Sequence, residues 1–232
     1  MNNIINNSTD VILPIYNGEK FITQAVDSIL KQTLKNIRII IVNDGSTDFS
    51  LQIISALAAT HGFIKVVDLP HQGLCITLNE ALKHVTGQWL AFLDCDDLWH
   101  PEKLAKQLDW LIANPTVDLC FTQLTEFDDT QKLSRVHAAR TKVLNGIGKS
   151  SLFCRTSVFK KVGGFNEETQ MGDFIEWFGR CQNYGIAHFT LPEVLTYRRV
   201  HDGNMSQGVS ASAYLKLLHS HLKSKAVVQA SE

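Results

Sequence analysis

Over the first hundred residues, short runs of aliphatic residues alternate with stripes of apolar residues spaced three or four apart. The run VILPIY begins at Val11 and reads as a strand that Pro14 should end, because proline has no N–H to give a central ladder. Phe21, Ile22, Ala25, Val26, Ile29 and Leu30 then share one helical face. The cycle repeats with a strand over 37–42 (IRIIIV) and a stripe at Leu51, Ile54, Leu57 and Ala58. A strand over 63–67 (FIKVV), a stripe at Leu74, Leu78, Ala81, Leu82 and Val85, and a strand at WLAFL follow. Such near-continuous apolar strands belong to a parallel sheet buried on both faces by helices. Residues 9–100 are therefore expected to form a doubly wound α/β half.

The pattern changes after residue 100. Pro101 suits position N1 of a helix carrying Leu104, Leu108, Leu111 and Ile112, which Asn114 and Pro115 should close. DLCFTQL (118–124) reads as a strand, whereas 126–142 is polar and predicts no clear element. A strand at SLFC, a short helix from Thr156, a GGF turn at 163–165, a helix near 173–182 and a strand near 186–191 complete a mixed half over 101–205. The Asn-rich residues 1–8 are expected to be disordered and 206–232 to form a helical tail. The whole is read as one α/β domain with a mostly parallel, doubly wound sheet.

Composition narrows the function. With 44% hydrophobic residues, 19% charged residues and a formal net charge of -1, the chain can bury a sizeable core and has no electrostatic case for nucleic acid. Its five cysteines are scattered and never in a C-x-x-C pair, which disfavours a disulfide framework or cysteine zinc site. No signal-peptide pattern opens the chain, and no apolar run approaches the roughly 18 residues of a membrane span. The expectation is a cytoplasmic protein, at most peripheral at the membrane, with no transmembrane segment.

In parallel α/β sheets, ligands bind beyond the carboxyl ends of the strands. The residues there are Pro14, Tyr16, Asn17 and Glu19 after the first strand, Asn43 to Asp48 after the second, His71 to Gly73 beyond the third, and Asp94, Asp96 and Asp97 after the fourth. GIGKS at 146–150 fails as a phosphate-binding P-loop, since Val143 stands where its first glycine is needed. PIYNGEK lacks the dinucleotide-binding glycines, Trp99 and Ala105 break a calcium loop beginning at Asp94, and no H-E-x-x-H occurs. What remains is Asp94-x-Asp96 at a sheet rim, where hard carboxylate oxygens suit Mg²⁺ or Mn²⁺ shared with a diphosphate.

VILPIYNGEKFITQAVDSILKQT, IIIVNDGSTD, FLDCDD, GGFNEE and YRRVHDGNMS together resemble, from about residue 9 to 205, the successive signatures of family 2 glycosyltransferases. These are inverting GT-A-fold enzymes that use nucleotide-diphospho-sugars. The resemblance implies a nucleotide-sugar half (9–100) and an acceptor half (101–205). Pro14, Tyr16, Glu19, Asp44 and Asp94 would surround the base and ribose of the donor, with a UDP-sugar favoured. Asp96 would hold the metal, His201 would face the diphosphate and join as a ligand, and Asp173 would be the catalytic base. The acceptor is left open among a saccharide, a lipid-linked sugar and a peptide.

The sequence also departs from this family. Gly172 stands where Glu often precedes the base, and Thr77, Leu78 and Asn79 replace a frequent Ala-Arg-Asn, which removes a cation from the diphosphate. The absence of a Q-x-x-R-W signature points to non-processive transfer, and that of a C-terminal membrane segment argues against an integral lipid-linked enzyme. Plainer readings stand beside these. Asp44 can simply close an Asn-Asp-Gly turn, Asp173 can cap its helix, His201 can be a surface histidine, and Glu176 and Arg180 can pair along a helix surface. A non-catalytic nucleotide-sugar-binding module and a nucleotidyltransferase are the rival functions.

Overall fold

In a computed structural model, which describes residues 7–128, 143–169 and 172–201, the strands join in one eight-stranded sheet. Strands β1 (Thr9–Ile15), β2 (Ile37–Asp44), β3 (Ile64–Leu69) and β4 (Trp89–Phe92) are parallel neighbours in the order β3-β2-β1-β4. Helices α1 (Ile22–Leu30), α2 (Ser50–Thr60) and α3 (Leu74–Leu82) connect them. Alternation along the strands explains why their sequences are apolar throughout. Val11, Leu13, Ile39 and Ile41 pack in the core formed with α1, α2 and α4 (Lys103–Ala113). Ile12, Ile40 and Val42 pack on the other face, against α3, α5 (Ser157–Val162) and α6 (Asp173–Asn183). Each such side chain contributes about 1.5–3 kcal/mol by leaving water.

The other half of the sheet mixes directions. β7 (Phe153–Arg155) is antiparallel to β4 and to β6 (Leu119–Asp128), β8 (His188–Val200) is parallel to β6, and β5 (Leu98–Trp99) closes the edge antiparallel to β8. The expected helical tail, residues 1–6 of the expected disordered start, and 129–142 of the polar stretch lie outside the described residues.

Two prolines lie inside strands, and the first corrects the sequence reading. Pro14 does not end β1; it pairs in register with Val42. The carbonyl of Ile12 accepts the N–H of Leu93, so the even-numbered residues of β1 point their backbone groups toward β4. Pro14 therefore turns its N–H-less side past the end of β4, and no ladder bond is lost. The strand expected near 186–191 is longer, and Pro192 lies inside it. The register with β6 jumps from Thr122↔Leu191 to Gln123↔Val194, so Pro192 and Glu193 fall in a bulge and the strand runs on to Val200. Pro101 also lies outside its helix, two residues before Lys103 rather than at N1.

Candidate active site

The loops after β1 and β2 are interlocked. The N–H groups of Asn17, Gly18 and Glu19 donate to Ser46 Oγ (2.9 Å), Ser50 Oγ (2.9 Å) and Asp48 Oδ2 (3.1 Å). In return, Thr47 N–H donates to Asn17 Oδ1 (2.8 Å) and Phe49 N–H to Glu19 Oε2 (2.9 Å). Glu19 thus has a structural task at the head of α2. Asp44, only 4% exposed, accepts the N–H groups of Gln72 (2.8 Å) and Gly73 (3.0 Å), and His71 Nδ1 lies 2.9 Å from its Oδ2. Gly45 makes this turn possible: its φ is +66°, and a Cβ there would sit 2.5 Å from the His71 nitrogen. The half-exposed ring of Tyr16 stacks on His71 at 4.2 Å. Pro14 is buried in β1 below them.

The acidic triplet lies beyond β4, and its members have different surroundings. Asp97 is 7% exposed, accepts the N–H of Arg199 (3.1 Å), and has its pKa pushed well up by burial and by Asp96 and Asp94. Asp96 faces His201, with Oδ2 and Nε2 3.1 Å apart. Arg199 reaches across the turn, donating Nε–H to the Asp96 carbonyl (2.9 Å) and an Nη2–H to Gln24 Oε1 (2.6 Å), with its guanidinium over the rings of Phe127 and Phe21. The extension of β8 past Pro192 is what brings Arg199 and His201 here.

Asp94 keeps 39% of its side-chain surface open, and its pKa still moves up. Loss of hydration is the first cause, opposed by Lys149 and reinforced by Asp96 and Asp173. Lys149 Nζ lies 2.9 Å from Asp173 Oδ2 and 3.6 Å from Asp94 Oδ1. Burial works against the charge of Lys149, but these two carboxylates outweigh it and raise its pKa to about 12. The 3₁₀ turn Lys149–Ser151 is fixed under the triplet: Ser150 Oγ accepts the Asp94 N–H (3.2 Å), and Ser150 O accepts the Trp99 indole N–H (2.7 Å). Ser151 O accepts from Gln107 Nε2 (2.9 Å).

Asp173 is the first helical residue of α6. The cap is Gly172, whose φ of +80° is left-handed and disfavours the Glu seen in the family pattern. Asp173 makes no capping bond, and its Oδ1 accepts no hydrogen bond among the described residues. Asn79 latches α3 to the GGF turn through Phe165, and a Cβ at Gly164 would lie 2.4 Å from Asn79 Oδ1. Arg180 pairs with Glu176 and also donates to the carbonyls of Val162 and Gly164, so it is more than a surface ion pair. Trp177 is fully buried against Phe159, as core.

The sequence-derived residues thus gather in three neighbouring groups: Tyr16 with Asp44; Asp96 with His201; and Asp94 with Asp173, joined by Lys149. Sequence reading missed the roles of Lys149 and Arg199. Both lie in short segments, GIGKS and YRRVH, whose local pattern carries no sign of the partners that the fold brings to them.

Residues 10–178 match the family described as glycosyl transferase family 2, and the chain belongs to it. The chain is 30% identical over 210 residues to an uncharacterized glycosyltransferase of Rickettsia typhi, covering 83% of this chain and 64% of that protein. It is 36% identical over 195 residues to the putative glycosyltransferase EpsE of Bacillus subtilis, covering 80% of this chain and 70% of that one. The chain spans less than two thirds of the Rickettsia typhi relative's length. Among solved structures, S. aureus TarS 1-349 in complex with UDP-GlcNAc superposes with a TM-score of 0.72 at 20% identity, covering 89% of this chain and 63% of that one. The mannosyltransferase PcManGT from Pyrobaculum calidifontis, in complex with GDP-Man and Mn2+, gives 0.67 at 24%, covering 84% and 58%. The fold is that of the GT-A glycosyltransferases.

A divalent cation fits the donor set at Asp96 and His201. A carboxylate oxygen and an imidazole nitrogen 3.1 Å apart match two adjacent corners of an octahedron with bonds of about 2.1 Å. Among the described residues no three His, Cys, Asp or Glu side chains gather around one point. No helix among the described residues is long and apolar enough to cross a membrane.

Proposed function

We propose that this chain is an inverting, non-processive glycosyltransferase that moves a sugar from a nucleotide-diphospho-sugar to an acceptor hydroxyl, with Mn²⁺ or Mg²⁺ at Asp96 and His201. One observation carries the reading: Asp173, whose Oδ1 accepts no hydrogen bond among the described residues, is joined to the donor-side acid Asp94 by the single ammonium of Lys149. Asp173 takes the acceptor proton, and the acceptor oxygen bonds to the anomeric carbon on the side opposite the diphosphate. As that bond forms, the bond from the anomeric carbon to the diphosphate oxygen breaks, its electrons leaving with the diphosphate. The base contributes about 10²- to 10⁴-fold. When bound, the metal neutralises charge growing on the leaving diphosphate.

A UDP-sugar is the favoured donor. The half-exposed Tyr16 offers a stacking surface for a single ring, the buried Asp44 holds His71 and the Gln72–Gly73 backbone beside it, and Asp94 is open to a ribose hydroxyl. Pro14 and Glu19 support this pocket from β1 and the loop that follows. The relatives' complexes with UDP-GlcNAc and GDP-Man are consistent with nucleotide-sugar use. The test is a thermal-shift and calorimetric panel of nucleoside diphosphates and their sugars with and without Mn²⁺, paired with Asp96→Ala. The wild type should bind a uridine diphosphate best and more tightly with Mn²⁺, and the variant should lose that dependence. Tighter binding of GDP sinks the uridine preference, and unchanged metal affinity in Asp96→Ala sinks the ligand assignment. Binding without any sugar transfer or hydrolysis favours a binding module, and pyrophosphate release from a nucleoside triphosphate favours a nucleotidyltransferase.

A further inference from the structure

The base and the donor acid are held by one side chain that neither motif includes. Lys149 is 8% exposed, and its ammonium touches Asp173 Oδ2 at 2.9 Å and Asp94 Oδ1 at 3.6 Å. Its backbone cannot drift. Ser150 is bonded to the Asp94 N–H and to Trp99, Ser151 Oγ donates to the carbonyl of Gly148 (2.8 Å), and Ser151 O is held by Gln107. Gly146, which leads into this turn, has no room for a side chain, since a Cβ would lie 2.2 Å from the Thr122 carbonyl. Asp173, by contrast, opens its helix directly after the left-handed Gly172, and its side chain makes no other hydrogen bond among the described residues.

We propose that Lys149 is a positioning residue for the base. It fixes Oδ2 of Asp173 at a set distance from the donor rim, so that Oδ1 alone is presented to the acceptor hydroxyl. This rests on Asp173 being the base. Without the ammonium, two carboxylates drawn to one point repel, and Asp173 swings away from Asp94. Displacement of a reacting group by about 1 Å is enough to cost on the order of 10²-fold in rate.

The test is a double-mutant cycle of Lys149→Met and Asp173→Asn. It is read as single-turnover release of nucleoside diphosphate from UDP- and GDP-sugars with Mn²⁺, water serving as the acceptor. Lys149→Met alone should slow release by about 10²-fold while donor affinity, measured by calorimetry, shifts less than about threefold. In the Asp173→Asn background the same change should cost less than about threefold, because a residue acting through the base has nothing left to position. Losses that multiply, or a donor affinity that falls as far as the rate, overturn the proposal while leaving Asp173 as base. If Asp173→Asn alone stays within about threefold of wild type, the base assignment itself fails. Absence of release by the wild type with every donor overturns the transfer reading and the role of Lys149 with it. Melting curves on each variant verify folding, and Lys149→Gln enters the cycle if the methionine variant does not fold.

Discussion

Lys103→Met should make the protein more stable at neutral pH, by an amount that shrinks as the pH rises. Lys103 opens α4 and is fully buried; its ammonium sits 4.2 Å from the Trp99 ring centroid and donates to Gln107 Oε1 at 2.9 Å. The groups facing it that titrate are the thiols of Cys120, whose pKa burial raises to about 12, and Cys154, raised well above its usual range, so both are neutral near pH 7–9. Burial lowers the pKa of Lys103 from 10.5 to about 7. Between these two values the unfolded chain binds the proton and the folded chain does not, so this group makes stability rise with pH; below pH 7 its full penalty is present. A difference of about 3.5 units corresponds to about 5 kcal/mol, of which roughly 4 remains at pH 7 and 2 at pH 9. Methionine keeps the volume but leaves Gln107 Oε1 without its donor, a cost of about 1–3 kcal/mol. The net gain is therefore roughly 1–3 kcal/mol at pH 7 and about 2 kcal/mol less at pH 9. Urea denaturation at pH 7, 8 and 9 measures it, with m-values compared to verify the same transition. A difference between the two proteins that does not change with pH refutes the reasoning, whatever its sign.

Asp10→Ala should destabilise by about 3 kcal/mol in the same urea assay, because Asp10 accepts two bonds from Arg38 and the N–H groups of Thr86 and Gly87 while only 2% exposed; a loss under about 1 kcal/mol would show that water replaces those bonds. Gly146→Ala should cost about 1–3 kcal/mol, since the new methyl meets the Thr122 carbonyl, and an unchanged denaturation midpoint would mean that the loop yields. His201→Ala should weaken Mn²⁺ binding in a diphosphate titration, and less than Asp96→Ala does, because the carboxylate supplies the charge; equal affinity to wild type returns His201 to a non-ligand.

The four parallel strands and the placing of Tyr16, Asp44 and Asp94 at their carboxyl ends were legible in the sequence, because local forces set both. A run such as IRIIIV has no face to show to water, so it specifies a strand covered on both sides, and residues directly after such a run must emerge at the rim. The start of a helix at Asp173 was legible for a related reason, as a matter of neighbours in sequence, whereas its nomination as base came only from the family resemblance. Pro14 defeated the same local reasoning. Whether a missing N–H matters depends on what it faces: Pro14 faces the space past the end of β4, and Pro192 falls in a bulge against β6.

Only the tertiary structure decided what each charge meets. Three aspartates in four positions announced a concentration of negative charge, but not that Asp97 would be buried on Arg199, that Asp96 would turn to His201, or that Asp94 would share Lys149 with Asp173. Lys149 is 55 residues from Asp94 and 24 from Asp173 in sequence. Nothing in GIGKS distinguishes a lysine held between carboxylates from one exposed on a loop, because the distinction is made by the fold that closes over it.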